Sequence, residues 1–592
     1  MAWPLAARGA TPQAAARPAA PHPAAAHPTG GPVRITHDPV VRRPAPYGLT
    51  TLDATARLHG PAGGYRRIAA GPGWPVAVRQ ELAAAAARRT DRRTPLACFA
   101  QLTDLHIADV QHPLRTEFLR AGSPGSWRAQ EALSAHGAVA LIEQVNALRA
   151  GPHTGLPLGF AISTGDNADN NAAIELEWYM TAMSGGPITP NTGDPAAYEG
   201  AQNTGLAQFW QVEQALRDVD KQRGLPRLPG YLAAATAPLT SPGLKVPWYS
   251  TPGNHDALPA GCLAPEDSWL QAYAVGARKL YTVSDADAAR FRAVVVSGAD
   301  PRSSVLKDVL RANASRARTV TPDPRRRATD PHDFLLAHLD PAHTGAGPVG
   351  HGYTEDNLDG DRQYYSFAVA EGVLGISLDT TFRGGHLQGS LDGDQLRWLE
   401  RTLTAHSAAY YDTDGHRVAN PGAADAKILV FSHHHSPSMT VRPDATAEDR
   451  ARHDGQEVIA LLHRFPNVVA WINGHSHVNK ITPHPHPAAP ARSFWEVNTA
   501  SHVDYPQHAR LFELADNHDG TVSLFTTLVE SSAPYRTDFA DRSSVGLASL
   551  YRELSYNAPG LGAYLADTSS GVKESAAGEA RDRNTELLVR IA

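Results

Sequence analysis

The chain has 592 residues, 42% of them hydrophobic and 19% charged, a balance that excludes the disordered and fibrous classes and allows a large buried core. Its formal charge of -6 gives no general attraction to nucleic acid or to an anionic membrane. No apolar run is long enough to span a bilayer, and Cys98 and Cys262 fall in a predicted strand and a loop-rich insertion, so no disulfide is expected.

Residues 1–45 are dominated by Ala and Pro without helical or strand periodicity, and read as a disordered arm. They lack the uninterrupted apolar stretch of a secretory signal. As written the chain is expected in the cytoplasm, and a start codon placed too late would leave room for an upstream export signal. A mixed stretch, 46–94, reads as an extension packed on the core that follows. The apolar run at 96–100 then predicts a buried strand, and 129–148 carries Leu133, Val139, Leu141, Ile142, Val145 and Leu148 at roughly helical spacing. Residues 160–163 predict a second strand, and the strand, helix, strand succession points to an α/β fold.

The pattern repeats downstream, with strands at 246–250, 373–378, 428–431 and 468–472 and helices at 395–403 and 457–463. Further strands are predicted at 494–498, 510–514 and 521–526, the last two joined through Asp519-Gly520, a hairpin signal. Residues 531–592 read as a tail, polar and partly helical, with a helix around 547–554. Insertions at about 180–245 and 257–365 interrupt a single domain spanning 95–530; connections of that length are functional caps or disordered excursions.

Five of these strands run into polar clusters: Asp104-Leu105-His106, Gly165-Asp166-Asn167-Ala168-Asp169, Gly253-Asn254-His255-Asp256, Ser432-His433-His434-His435 and Gly474-His475-Ser476-His477. Taken singly, each His at a strand end reads more readily as a hydrogen-bonded core or surface residue. Together they supply the oxygen and nitrogen donors that a dinuclear metal site needs. In open α/β sheets the ligand site lies beyond the carboxyl ends of the strands, so clusters far apart in sequence can converge there. Asp109 and Asp256 read as capping or supporting groups, and His484 and His486 as members of a solvated Pro-rich loop. Arg383 and His386 are candidates to reach a substrate phosphate. For His502 and Asp504 a structural hydrogen bond and an approach to the pocket stand level.

In this order, D-L-H, G-D-N-A-D, G-N-H-D, a strand-end His and G-H-S-H resemble the calcineurin-like metallophosphoesterase superfamily. The stretches around 101–104, 389–399 and 498–501 look like an actinobacterial branch of it, whose members often carry a twin-arginine export signal that this chain does not show. The resemblance implies an α/β fold, a four-layer α/β/β/α sandwich with the long insertions as caps. It implies two metal ions, Mn, Fe or Zn in a divalent or trivalent state. Asp104, His106, Asp166 and His477 would hold the first, and Asp166, Asn254, His433 and His475 the second. His255 would be the catalytic acid and Asp169 the carboxylate that orients it. Within the triple histidine His433 is taken as the ligand because it comes first after the strand; His434, His435 and Asp256 are assigned to substrate contact or to support of the ligands.

The expected reaction is hydrolysis of a small-molecule phosphate ester. Two close cations make a shared hydroxide available near neutral pH, and His255 protonates the leaving oxygen. The alternatives are a phosphodiesterase acting on cyclic nucleotides, glycerophosphodiesters or nucleic acid, and a non-catalytic metal-binding module.

Overall fold

The computed structural model describes residues 50–59, 64–122, 126–265, 267–297, 303–442, 451–558 and 576–591; the Ala/Pro-rich arm at 1–45 lies outside them. Runs rich in β-branched and aromatic side chains build two large sheets, beside several two-stranded ones. The strands used below are β1 (Ala77–Arg79), β2 (Thr94–Leu102), β3 (Phe160–Thr164), β4 (Trp248–Thr251), β5 (Tyr365–Ala370), β6 (Val373–Ser377), β7 (Lys427–Phe431), β8 (Val468–Asn473), β9 (Lys480–His484), β10 (Phe494–Asn498), β11 (His508–Asp516), β12 (Thr521–Glu530) and β13 (Thr585–Arg590). The larger sheet has the order β1-β13-β12-β11-β2-β3-β4, and the smaller β5-β6-β7-β8-β10-β9. Strands β2, β3 and β4 are parallel to one another, as are β6, β7, β8 and β10. The fold is therefore mixed α/β.

The two sheets share one core. Phe99 of β2 stacks between Phe160 and Phe512 of its own sheet, at centroid distances of 4.9 and 5.1 Å, and meets Phe431 of the other sheet edge-on at 5.8 Å. Alternate residues of the smaller sheet face the opposite way: Ile376, Ile428, Val430 and Trp471 pack with Leu399, Leu403, Val458 and Leu462. The last four belong to two helices, Gly393–Ala405 and Gly455–Leu462. Burial on both faces explains why β8, sequence VVAWIN, reads as a continuous apolar run and not an alternating one. The predicted helix over 129–148 is observed as α1 (Ser134–Ala147).

One segment differs from expectation. The described residues at 531–558 and 576–591 do not form a tail: Ser544–Asn557 is a buried helix whose Tyr551 ring lies against Gly137 of α1. Strand β13 pairs antiparallel with β12 and parallel with β1. The chain end thus completes the larger sheet, and β1 adds an edge from the 46–94 segment. The two insertions contribute apolar clusters of their own. Phe209, Trp210 and Tyr231 pack with Leu547 and Leu550. Leu270, Phe291, Leu306 and Val309 pack with Leu114 and Phe118. Cys98 and Cys262 are both free thiols, and among the described residues no helix is long and apolar enough to cross a membrane.

Candidate metal centre

The clusters leave the carboxyl ends of parallel strands: Asp104 and His106 follow β2, Asp166 and Asp169 follow β3, Asn254 and His255 follow β4, His433 follows β7, and His475 and His477 follow β8. Because β2 to β4 and β7 to β8 end on the same side of the shared core, the five clusters meet. They do so in strained turns. Asp104, His106, Asp166, His475 and His477 all adopt left-handed backbone conformations, with φ of 50, 44, 51, 70 and 58°, a cost that clusters at functional sites. The motif glycines permit the approach. A Cβ at Gly253 would overlap Asp166 N and Oδ1, and one at Gly474 would overlap Thr103 Oγ1 and Asp104 Oδ2.

Ligand-type atoms of Asp104, His106 and His477 lie within 4.8 Å of one another, as do those of Asp104, Asp166 and His433. In the first group His477 Nε2 is 3.3 Å from Asp104 Oδ1, and His106 Nε2 is 3.6 Å from Asp166 Oδ2. Among the described residues His106 Nε2 is buried without a hydrogen-bond partner, which is the condition a cation would satisfy. In the second group His433 Nε2 lies 3.0 Å from Asn254 Oδ1 and 3.2 Å from Asp166 Oδ2, while His475 Nδ1 lies 3.1 Å from the same Asn254 oxygen. Asn254 Nδ2 donates to Gly261 O, turning its oxygen toward the imidazoles. His433 Nδ1 donates to Thr164 O at 2.8 Å, so Nε2 is the ring nitrogen turned to Asn254 and Asp166. Asp166 Oδ2 is common to both groups.

The field at this point favours positive charge. Burial pushes the His433 imidazole down, but Asp166 outweighs it and raises the pKa to about 9. Burial likewise opposes His477, and the bond to Asp104 with its charge carries it to about 10. The Asp166 carboxyl, pushed up by burial, is held well below the usual range by His433. Buried carboxylates with an amide oxygen and imidazoles that release a proton on binding are the donor set of a hard or borderline cation.

His255 is placed differently from expectation. Its N–H donates to Asp166 Oδ1 at 2.8 Å, and its Nδ1 donates to the main-chain oxygen of Asp169 at 2.6 Å. The Asp169 carboxylate is 3.9 Å away. It accepts instead from His106 Nδ1 at 2.9 Å and from Arg115. The carboxylate thus serves His106, and the carbonyl of the same residue orients His255. A carbonyl only accepts, so Nδ1 carries a proton in this contact.

The triple histidine separates cleanly. His433 alone points at Asn254 and Asp166. Although His434 also lies within ligand distance of His433 and His475, its Nδ1 bonds Thr380 Oγ1 at 2.8 Å and its Nε2 donates to Leu387 O at 3.1 Å. Both nitrogens are committed. His435 Nδ1 bonds Ser438 Oγ at 2.8 Å. The Asp256 carboxylate binds the N–H groups of Asn167, Ala168 and Gly253 and so ties two of the strand-end loops together. Asp109 is enclosed by Thr192 and Arg326, His484 pairs with Glu496, and the His486 ring accepts loop N–H groups. Arg383 donates to Thr329 O and His386 accepts from Gln388 N. His502 is buried beside Tyr551.

Behind the ligands stand Asp504, for which the sequence leaves a structural bond and an approach to the pocket level, and two arginines that it does not single out. Asp504 accepts from His477 Nδ1 at 2.8 Å and is itself gripped by Arg128 at 2.8 and 3.1 Å. Arg115 holds Asp169 and lies 2.8 Å from Glu131. Asp504 falls shortly after β10 and was open to notice; the arginines sit in loops without a motif.

No protein-family profile matches the chain, and no curated protein matches it. Among solved structures it is similar to a dimetal phosphatase from Danio rerio, at 13% identity and a TM-score of 0.31, over 74% of this chain and 100% of that one. A likeness at that score establishes neither fold nor function for this chain.

Proposed function

We propose that the chain is a two-metal hydrolase of phosphate esters, with the four-layer α/β/β/α arrangement of the calcineurin-like metallophosphoesterases. One observation carries this reading: side chains from five separate strand ends converge on a buried cluster in which Asp166 is shared by two groups of imidazole and oxygen donors. Asp104, His106, Asp166 and His477 would hold one ion, and Asp166, Asn254, His433 and His475 the other, with Mn, Fe or Zn suited to the mixed donors. Bound there, two cations would neutralise phosphoryl oxygens and make water acidic enough to attack near neutral pH.

The protein's own groups supply the rest. His255 Nε2, fixed by the Asp169 carbonyl behind the ring, donates a proton to the leaving oxygen as charge develops on it. Asp166 Oδ1 holds the His255 main chain, so the proton donor and the shared ligand keep a fixed relation. The substrate proposed is a small-molecule phosphate ester.

The test is a metal-free preparation reconstituted with each ion in turn and assayed on para-nitrophenyl phosphate and its bis ester. Hydrolysis of the first supports a monoesterase, and preference for the second a diesterase. A preparation that holds two ions but leaves every phosphate ester intact would overturn the proposal in favour of a non-catalytic metal-binding protein.

A further inference from the structure

We infer that Arg128 and Arg115 are positioning residues that hold the two imidazoles of one metal site through Asp504 and Asp169, and that Glu131 braces the two arginines together. The inference rests on the two-metal reading above.

Two chains of contact run outward from the same group of ligands. From His477, Nδ1 donates to Asp504 Oδ2 at 2.8 Å, and Arg128 grips both oxygens of Asp504 through Nε and Nη2 at 2.8 and 3.1 Å. From His106, Nδ1 donates to Asp169 Oδ1 at 2.9 Å, and Arg115 donates to the other oxygen. The chains join at one carboxylate: Glu131 Oε2 lies 2.8 Å from Arg115 Nη2 and accepts the Arg128 main-chain N–H at 3.2 Å. The side chains of Arg115, Glu131, Asp169 and Asp504 are all less than a tenth exposed. Both arginines and Glu131 come from the one connection between β2 and α1.

The other site has no such backing. His433 Nδ1 leans on a main-chain carbonyl, Thr164 O, and among the described residues no carboxylate pairs with the His475 ring, whose Nδ1 faces Asn254 and His433. The difference has a chemical consequence. A carboxylate behind an imidazole fixes the Nδ1–H tautomer and makes Nε2 a stronger donor to a cation. An unpaired carboxylate buried near Asp104 and Asp166 would be costly, and the arginines, bidentate in the case of Arg128, remove that cost and fix the ring planes. The pair His106 and His477 therefore binds its ion more firmly than His433 and His475 bind theirs, and the difference originates in residues that touch no ion.

Metal-free protein is titrated with Co(II), followed by visible absorption and by calorimetry, for the wild type, Asp504→Asn, Arg128→Gln, Arg128→Lys and His433→Ala. The wild type is expected to show two classes of site. Asp504→Asn and Arg128→Gln should weaken the tighter class by about 10- to 100-fold and leave the weaker class in place. Arg128→Lys restores the charge without the fork and should recover part of the loss. His433→Ala should weaken the other class. Combining Asp504→Asn with His477→Ala should bind no more weakly than His477→Ala alone, because the carboxylate acts through that ring. Should Arg128→Gln fail to fold, the nearly isosteric Asp504→Asn carries the test. If Asp504→Asn leaves both classes unchanged, or weakens both equally, the relay is refuted while the two-metal reading stands. A wild type that binds fewer than two ions refutes that reading itself.

Discussion

Replacing His255 with Ala separates catalysis from structure because the ring does so little structurally. Its side chain is 23% exposed, and its hydrogen bond is the one from Nδ1 to the Asp169 carbonyl; the main-chain bond to Asp166 Oδ1 survives in the variant. Losing one such bond costs about 0.5–1.5 kcal/mol of stability. General acid catalysis contributes roughly 10² to 10⁴ in rate, or about 2.7–5.5 kcal/mol of barrier. The variant should therefore fold, bind both ions and turn over alkyl phosphates 10²- to 10⁴-fold more slowly, an estimate taken from the same range. The loss should depend on the leaving group. Para-nitrophenolate is stable as an anion near neutral pH and needs little proton donation, so para-nitrophenyl phosphate should be far less affected. Parallel kcat measurements on the two substrates, with metal content read by elemental analysis, make the comparison. An equal loss on both substrates would refute general acid catalysis by His255, and loss of an ion would reassign the residue to metal binding.

Other perturbations probe the supports. Asp256→Ala leaves the buried N–H groups of Asn167, Ala168 and Gly253 without their acceptor; at about 1–3 kcal/mol for each unmade bond it should lower the denaturation midpoint sharply, and an unchanged midpoint would count against the loop-tying role. His433→Ala should cost one ion, whereas His434→Ala, whose nitrogens are committed to Thr380 and Leu387, should keep both; the reverse outcome would shift the ligand to the second histidine. Metal removal by chelation should lower the melting temperature, since an ion at about 100 times its Kd adds about 2.7 kcal/mol to the folded state. In metal-free protein His477→Gly should melt higher than His477→Ala, because only glycine is unstrained at a φ of 58°; equal melting would show that the turn carries no strain.

Much of this centre is legible from sequence because apolar strands announce themselves and the residues that follow them are few. In strand β7, KILVF, the apolar run 428–431 is bounded by Lys427 and Ser432, and the first histidine after it is the one that reaches Asp166. The same logic places Asp104, Asp166, Asn254 and His475. What the sequence hides is tertiary. Strand β13 is six residues long and gains its identity only by pairing between β12 and β1, so a local reading leaves it in a tail. Arg115, Arg128 and Glu131 lie in a connection whose course is set by buried ion pairs, among them the contact of Glu117 with Lys279 from the second insertion, and no spacing rule reports such a pairing. Asp169 is the instructive case. Its motif position identifies it correctly as a neighbour of His255, but only the turn geometry decides that the carbonyl meets that ring and the carboxylate meets His106.

The strained backbone and the outer ion pairs answer the same physical demand. A site that gathers carboxylate, amide and imidazole donors must keep them in place when a cation replaces the imidazole protons, and a relaxed loop would let them move apart. Five candidate ligands held at positive φ resist that movement because their turns are cross-linked. Asp104 N donates to Gly165 O at 3.0 Å, His106 N to Asp166 O at 2.9 Å and Ile107 N to Asn167 O at 2.9 Å, so the turns after β2 and β3 are locked as one unit. The turn after β8 joins them through His475 N and Asp104 Oδ2. Left-handed positions cost about 1–2 kcal/mol each for residues with a side chain, and the shared aromatic core together with the Arg115 and Arg128 ion pairs offsets that cost away from the site. The donors therefore do not have to be gathered when an ion binds, which is the condition under which a few weak ligands at strand ends can hold two cations side by side.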